Sequence, residues 1–292
     1  MTGRVIVVTS GKGGVGKTTA SANIGVALAA SGASVCLVDM DIGLRNLDIL
    51  MGLENRVVYN LVDVVEERCK LKQALVKDKK LPQLNLLPAA QTRDKTAVNA
   101  DQMKILCEEL KNTFDFVIVD SPAGIESGFQ NAVAGASEAI IVTTPEMSAV
   151  RDADRIIGLL EARKDEISDY KLILNRIRPH MVKNNDMMSV DDVLEILSVK
   201  LLGVVPDDDD IIISTNKGEP IAGSNNTRSG LAFRNIARRL KGEEVPFMDL
   251  TDTNNTWVGK IMKIFNLYIF KCFICIFNPI NGKFISTINF WN

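Results

Sequence analysis

The feature that most constrains the fold is a glycine-rich loop that follows an apolar run. The run R-V-I-V-V-T-S (residues 4–10) leads into S-G-K-G-G-V-G-K-T-T (residues 10–19), which fits the pattern G-x-x-x-x-G-K-[ST]. Glycines let the backbone turn tightly and bring its N–H groups close to anionic oxygens, and the N-terminus of a following helix adds the positive end of its dipole. The order of strand, loop and helix therefore predicts a phosphate-binding site.

Residues around this loop supply the expected chemistry of a nucleotide and its metal. Lys17 is placed for the β- and γ-phosphates, and the Thr18 hydroxyl for Mg²⁺. Asp120 ends the apolar run F-D-F-V-I-V-D and is the expected second metal ligand. Asp39 and Asp41 lie at the end of another predicted strand, and are candidates for the metal shell and for orienting the attacking water. ATP and Mg²⁺ are therefore the predicted cofactors.

Short apolar runs alternate along the chain with amphipathic segments. Near-continuous apolar runs of four to eight residues indicate strands buried on both faces, and apolar residues at three- and four-residue spacing indicate helices. Alternation of the two predicts an α/β fold, a doubly wound, mostly parallel sheet with helices on both faces. The predicted strands are Val5–Thr9, Ser34–Asp39, Leu84–Leu87, Phe116–Asp120, Ala139–Thr143, Lys171–Leu174 and Leu201–Val205. The clearest predicted helices are Thr18–Ala30, Gln102–Lys111, Ala149–Arg163 and Val190–Val199.

The polar motifs fall directly after the predicted strands. Besides the glycine loop, they include D-M-D-I-G-L-R-N-L-D, D-S-P-A-G, T-T-P-E and N-R. Ligands of open α/β sheets bind at the carboxyl ends of the strands, so these motifs mark one functional edge. We expect one domain over residues 1–250, a polar linker over 251–256, and a separate tail over 257–292.

Composition limits the function classes. The formal charge of −2 and the pI near 5.7 argue against binding nucleic acid by bulk electrostatics, so we expect no nucleic acid partner. The single histidine, His180, excludes a multi-histidine metal centre, and the five scattered cysteines fit a reducing compartment. The acidic run 207–210 reads as a solvated loop. Because no signal peptide precedes the first strand, we expect a protein that is not exported.

The loop carries a second lysine, Lys12, and so resembles the deviant phosphate loop of the ParA/MinD family of ATPases. The resemblance runs from about residue 3 to about residue 250, and several of its motifs are specific to the MinD branch. The matching motifs are D-M-D-I-G-L-R-N-L-D-I-L-M-G-L-E-N-R, L-P-A-A-Q-T-R-D-K, D-S-P-A-G-I-E-S-G-F, T-T-P-E-M-S-A-V-R-D-A-D-R, M-M-S-V-D-D-V-L-E-I-L and S-T-N-K-G-E-P.

The resemblance implies a switch that positions the division septum. Such proteins hydrolyse ATP, form a homodimer when ATP binds, attach to the cytoplasmic face of the cell membrane and recruit the division inhibitor MinC. MinE then stimulates hydrolysis and release. The family receives MinC and MinE on the helix predicted over Ser148–Arg163, which places Arg151, Asp152 and Asp154 at the partner surface.

The resemblance also implies roles for individual residues. Lys12 would reach across the dimer to the partner's nucleotide, and Thr19 would contact the α-phosphate. Asn175, with Pro206 after the seventh predicted strand, would hold the adenine. Asp39 and Asp41 would belong to the first switch segment and Asp120 to the second, which makes Lys12, Lys17 and Asp41 the catalytic candidates. The nucleotide-binding loop comprises Gly11, Lys12, Gly13, Gly14, Val15, Gly16, Lys17, Thr18 and Thr19.

The tail carries the pattern of a membrane-surface helix. In W-V-G-K-I-M-K-I-F an apolar stripe at i, i+3, i+4 and i+7 lies opposite two lysines. A helix of this kind lies in the membrane interface with its lysines toward anionic headgroups. The stripe consists of Val258, Ile261, Met262 and Phe265.

The chain continues beyond this stretch in a way that nothing in the family accounts for. Residues 267–292 are rich in Ile, Phe and Asn. A transmembrane span over 261–277 is one interpretation, although its seventeen residues are at the lower limit and include Lys263 and Lys271. A frameshifted or read-through end is another, and the sequence leaves both open.

Three other functions remain as alternatives. A ParA-like DNA-segregation ATPase is opposed by the acidic pI and the amphipathic tail. An electron-transfer protein like the nitrogenase iron protein requires cluster-bridging cysteines, and none follows the two switch strands. A scaffold that binds ATP without hydrolysing it would show no phosphate release. The expected location is a bacterial cytoplasm, although a plastid-encoded homologue, in the stroma, would look similar.

Overall fold

Eight strands of the described residues form a single sheet. The structure, a computed structural model, describes residues 3–224 and 226–249. The strands are β1 (Arg4–Thr9), β2 (Val35–Asp39), β3 (Val76–Lys77), β4 (Leu84–Leu87), β5 (Phe116–Asp120), β6 (Glu138–Thr143), β7 (Asp169–Ile177) and β8 (Lys200–Pro206). Their order across the sheet is β3-β4-β2-β5-β1-β6-β7-β8. Every neighbouring pair is parallel except β3 with β4, which is antiparallel.

Eleven α-helices occur in the same residues. Several begin where a polar side chain caps the first turn: Asn99 with Gln102 before the fifth helix, and Ser189 with Asp192 before the ninth, each form a reciprocal capping box. The helices are α1 (Lys17–Ala30), α2 (Leu47–Leu50), α3 (Leu61–Val65), α4 (Leu71–Ala74), α5 (Ala100–Lys111), α6 (Ser127–Val133), α7 (Met147–Glu161), α8 (Pro179–Lys183), α9 (Val190–Leu197), α10 (Asp209–Asn216) and α11 (Arg228–Leu240).

Helices cover both faces of the sheet. On one face α1 and α11 pack against each other, and their apolar residues form one buried cluster with side chains from the central strands, such as Ile6 and Ile118. The helices α5, α6 and α7 contact β5, β1 and β6. The central strands are buried along nearly their whole length, which explains why they appear in the sequence as continuous apolar runs.

The predicted fold class is confirmed. All seven predicted strands are present, and the predicted helices correspond to α1, α5, α7 and α9. Strand β3 was not predicted, because two residues at a sheet edge leave no alternation to detect. The described residues up to Met248 form one compact unit. The boundaries expected at 250 and 256 stay predictions, because the linker, the amphipathic stripe and the extension lie outside the described residues.

The acidic run is not simply a solvated loop. Asp207 pairs with Arg178 (Oδ2 to Nε, 2.6 Å), and the side chain of Asp208 caps α10 by accepting the N–H of Asp210 at 3.0 Å. Asp208 also accepts the Ser229 hydroxyl at 2.6 Å. Three of the four carboxylates therefore belong to the start of α10. Within the ranges that the structure describes, no helix has the length and apolar character needed to cross a membrane.

Candidate nucleotide site

The carboxyl ends of three central strands meet beside the glycine loop. Asp39 of β2 and Asp120 of β5 are direct neighbours in the strand register, and Val8 of β1 lies opposite Asp120 on the other side. The backbone N–H of Met40 donates to the Asp120 carbonyl at 3.0 Å. The parallel register therefore places the two carboxylates side by side, as expected from their positions after predicted strands.

The loop takes a conformation that requires glycine at two positions. Gly14 has φ 80° and Gly16 has φ 96°, in the left-handed region that side chains disfavour. Gly16 is the N-cap of α1, so the loop turns directly into the helix. A Cβ atom at Gly16 would lie 2.3 Å from Nδ2 of Asn175. That same Nδ2 donates to the Val15 carbonyl at 2.7 Å, so β7 holds the loop in place.

The start of the loop packs closely against α7. A Cβ atom at Gly11 would lie 2.2 Å from the carbonyl oxygen of Asp152, which is backbone and has little room to move. At Gly13, by contrast, no described atom lies within 4 Å of such a Cβ. Gly11 is therefore needed for packing, and Gly13 is not.

We expect Gly11→Ala to destabilise the nucleotide-free protein by about 2 kcal/mol or more, because the loop or α7 must shift to admit the methyl group. Gly13→Ala serves as the matched control in the same loop. Gly13→Ala should change the free energy of unfolding by less than about 1 kcal/mol, because a substitution at an open position away from packed atoms has a small effect on stability. Urea denaturation measures both variants. Equal destabilisation by the two substitutions would contradict the close approach of α7.

Lys17 is buried at the first position of α1 and pairs with a strand-end carboxylate. Its Nζ lies 3.3 Å from Oδ1 of Asp120, and the Ser21 hydroxyl donates to the same oxygen at 2.9 Å. The other oxygen, Oδ2 of Asp120, is buried and has no hydrogen-bond partner among the described residues. The ammonium of Lys17 is thus held at the mouth of the glycine loop, where phosphates would lie.

Asp39 is a buried carboxylate whose two oxygens both accept backbone hydrogen bonds. Its Oδ1 accepts the Asp41 N–H at 2.9 Å and its Oδ2 accepts the Leu47 N–H at 3.3 Å. The pKa of Asp39 is raised to about 7, chiefly by burial and then by the neighbouring Asp120 charge, while the two backbone hydrogen bonds lower it in part. Asp41 itself is half-buried just beyond the strand.

This carboxylate pair fits a divalent cation. Asp39 and Asp120 are both buried, a single lysine faces them, and one Asp120 oxygen lacks a partner within residues 3–224 and 226–249. Mg²⁺ is a hard cation that takes oxygen ligands and usually keeps several waters, so one or two carboxylates suffice together with the phosphates of a nucleotide. Thr18, in the first turn of α1, is the residue predicted to supply the hydroxyl.

Lys12 behaves differently from Lys17. Its side chain is 42% exposed and turns toward α7 of the same chain. The ammonium donates to the Ser148 hydroxyl at 3.0 Å and lies 3.4 Å from the Glu146 carboxylate. The two lysines of the loop therefore lie in different environments.

The predicted adenine residues lie at the ends of β7 and β8. Asn175 is buried, and its Oδ1 has no partner within the described part of the chain. Pro206 is buried as the last residue of β8, and Asp207 follows it with its N–H bonded to the Ile177 carbonyl. Asn175 thus has one role that was not predicted, fixing the loop, and its contact with adenine stays a prediction.

The predicted partner residues divide into two environments on α7. Arg151 and Asp154 are exposed on its outer surface. Asp152 is half-buried, pairs with Arg155 at 3.5 Å, and its backbone contacts Gly11. The helix therefore has one side on the nucleotide loop and another side at the surface.

Sequence reasoning missed three side chains of the site. Ser21 binds Asp120 one helical turn after Lys17, and this i, i+4 spacing on α1 was a usable signal. Glu146 and Ser148 bind Lys12 from 134 and 136 residues away in sequence. For that contact the only signal was their position just after a predicted strand.

A left-handed glycine turn that caps a helix, a buried lysine and two strand-end carboxylates together define a nucleotide-binding P-loop protein. A family model described as the CobQ/CobB/MinD/ParA nucleotide binding domain matches residues 6–221. Septum site-determining protein MinD of Synechocystis sp. is 60% identical over 261 residues, which cover 89% of this chain and 97% of that protein. The chain belongs to the MinD family of septum site-determining ATPases.

Solved structures agree with this assignment. MinD in the MinC:MinD cell division protein complex of Aquifex aeolicus has a TM-score of 0.78 and 48% identity, covering 84% of this chain and 98% of that one. MinD complexed with Mg-ADP from Pyrococcus horikoshii has a TM-score of 0.73 and 30% identity, covering 81% and 95%. Both similarities extend over nearly the whole described unit.

Proposed function

We propose that this chain is an ATP-driven switch in which ATP joins two copies into a homodimer that binds the membrane, and hydrolysis releases them. The observation that carries the proposal is the unlike placement of the two loop lysines. Lys17 is 7% exposed beside Asp120, where it can serve the nucleotide of its own subunit. Lys12 projects from the loop and is accessible to a second copy.

Each residue of the site has a role in the proposed cycle. Lys17 neutralises charge on the β- and γ-phosphates, and the loop N–H groups bind phosphate oxygens. Mg²⁺, held by Thr18, Asp39 and Asp120, would neutralise further phosphate charge. Asp41 orients the attacking water. Magnesium and a nucleotide accompany the related Pyrococcus protein, which supports this assignment.

Partner binding is proposed for the outer surface of α7. The related Aquifex protein forms a complex with MinC, which supports MinC as a partner of this chain. Arg151, Asp152 and Asp154 are the residues proposed to contact it, and MinE is proposed to bind the same helix and to stimulate hydrolysis. Identity of 60% to a septum site-determining protein favours this function over DNA segregation.

Membrane attachment is proposed for the tail. The stripe of Val258, Ile261, Met262 and Phe265 would enter the interface of an anionic membrane, with Lys260 and Lys263 toward the headgroups. One such helix binds weakly, and a dimer brings two, so dimerisation would convert a weak anchor into a stable one. The protein would then be peripheral on the cytoplasmic face of the membrane.

Sedimentation with anionic liposomes tests the membrane cycle. We expect the full chain to sediment with liposomes in ATP and to remain largely in the supernatant in ADP, because only the ATP form presents two tails. A chain that ends at Thr256 should stay in the supernatant with either nucleotide. Ile261→Asp should reduce binding at least about tenfold, since it puts a charge on the apolar stripe.

Asn255→Asp is the matched control, because it adds the same charge in the linker. It should bind as the unmodified chain does. Membrane binding that is equal in ATP and ADP, or that persists in the chain ending at Thr256, would overturn the proposed cycle.

A further inference from the structure

Asp48 is a buried carboxylate to which the proposed function gives no role. It lies in α2, and its side chain is wholly buried. Its Oδ2 accepts the Arg45 Nε–H at 2.6 Å, and Nη2 of the same guanidinium lies 2.6 Å from that oxygen. The other oxygen, Oδ1, has no hydrogen-bond partner in the part of the chain that the structure describes. Burying a carboxylate is costly unless it is paired, so Asp48 depends on Arg45 for its counter-charge.

Arg45 has a backbone conformation that its own side chain disfavours. Its φ is 48°, in the left-handed region where a Cβ atom is crowded and which glycine adopts freely. Such conformations persist only where surrounding contacts hold them. The guanidinium of Arg45 is held on two sides, because it pairs with Asp48 and its Nη2 also donates to the Glu54 carbonyl at 3.2 Å. The ion pair therefore holds a turn that the preference of the residue opposes.

The turn at Arg45 connects the two acidic residues of the proposed metal site. The Arg45 N–H donates to the Asp41 carbonyl at 3.2 Å, and the Leu47 N–H donates to Asp39 Oδ2 at 3.3 Å. The other oxygen of Asp39 accepts the Asp41 N–H at 2.9 Å. If Arg45 left the left-handed region, the chain between Asp41 and Leu47 would change direction and these bonds could not all persist.

We propose that Asp48 is a positioning residue that, by pairing with Arg45, holds the turn over residues 41–46 in the form that places Asp39 and Asp41 for Mg²⁺ and the attacking water. The inference rests on the proposed function, in which Asp39 is a metal ligand. Asp48 touches neither metal nor nucleotide and acts only through the backbone of Arg45. The affinity of the site for Mg²⁺ is thus set in part by a buried ion pair outside the metal's own ligands.

The test is the gain in affinity for a non-hydrolysable ATP analogue that Mg²⁺ brings, measured by isothermal titration in Mg²⁺ and in EDTA. Asp48→Asn keeps the shape of the side chain and removes its charge. We expect the magnesium gain to fall about tenfold, the effect of losing one hydrogen bond to a charged group, here from Leu47 to Asp39. Affinity in EDTA should stay within about twofold. Hydrogen exchange of the backbone amides of residues 41–47 should become faster in the nucleotide-free protein.

Two double variants separate positioning from general stability. Asp48→Asn combined with Arg45→Gly, or with Arg45→Ala, removes both charges of the pair, so neither variant leaves a buried charge unpaired. They differ in that glycine adopts a φ of 48° without steric cost and alanine does not. The magnesium gain should therefore be at least about fivefold larger with glycine, which is the cost of the left-handed region for a residue with a Cβ atom. The two variants carry the test even if Asp48→Asn alone folds poorly.

Asp63→Asn is the matched control, because Asp63 also pairs with an arginine, Arg68 at 3.1 Å, but in a different helix, α3. It should leave the magnesium gain unchanged. An unchanged gain in Asp48→Asn, or a glycine double variant that gains no more than the alanine one, would overturn the positioning role. If the unmodified chain bound the analogue equally well in Mg²⁺ and in EDTA, the proposed metal site itself would be wrong.

Discussion

Lys17→Ala is expected to lower ATP affinity at least about 100-fold. The substitution removes the ammonium proposed to pair with the phosphates, and truncating one member of a desolvated charge pair costs that much binding free energy. The same substitution should lower the free energy of unfolding of the nucleotide-free protein by about 3 kcal/mol. The reason is that Lys17 is buried 3.3 Å from Asp120, so its loss leaves a buried carboxylate without a counter-charge. Isothermal titration and urea denaturation measure the two effects.

A second variant separates the two effects. Lys17→Ala combined with Asp120→Asn removes both charges of the buried pair, and breaking a pair is costlier than removing it entirely. We therefore expect the double variant to recover most of the stability and none of the ATP affinity. Recovery of ATP binding would show that Lys17 serves only to compensate Asp120. ATP binding by the single variant would contradict its phosphate role directly.

The parts of the molecule that could be predicted are those that leave a pattern within a short segment of the sequence. Buried parallel strands leave continuous apolar runs, and the glycine loop leaves its own motif, so the sheet and the loop could be found without a structure. Because parallel strands end at one edge, the proximity of Asp39 and Asp120 also followed from their positions. The register places these two residues as direct neighbours.

The sequence could not predict contacts that depend on how distant segments pack. Asn175 binds the Val15 carbonyl from 160 residues away, and Gly11 meets the backbone of Asp152. Neither contact leaves a pattern in its own segment, since an asparagine after a strand or a glycine in a loop has many ordinary explanations. The helix α11 is a different case. It is not among the predicted helices, although its apolar residues Ala232, Phe233, Ile236 and Leu240 follow helical spacing and could have been recognised.

These long-range contacts connect the nucleotide loop to the proposed partner surface. Gly11 and Lys12 both contact the first two turns of α7, whose other side presents Arg151 and Asp154. A change at the phosphates therefore has a short physical path to the partner helix. Such coupling requires that the loop respond differently to different bound states, and Lys12 is a partly exposed loop side chain that contacts the start of α7.

Lys12→Ala should therefore separate ATP binding from dimerisation. We expect ATP affinity of the single subunit to remain within about threefold, because an exposed side chain engaged elsewhere contributes little. The dimer dissociation constant should rise at least about 100-fold, since two charge-assisted contacts to phosphate are lost per dimer. MinE-stimulated hydrolysis should be lost with it. Sedimentation velocity in ATP and phosphate release measure these outcomes.

Lys104→Ala is the matched control for this variant. Lys104 is similarly exposed and forms a comparable ion pair, with Glu166 at 3.2 Å, on α5 away from the loop. Its replacement should affect neither ATP binding nor dimerisation. If Lys12→Ala also dimerises and hydrolyses ATP normally, the second lysine has no part in the switch. If only Lys12→Ala fails, the charge of ATP is fully neutralised only when two subunits meet, and the second loop lysine is what makes dimerisation and stimulated hydrolysis depend on bound ATP.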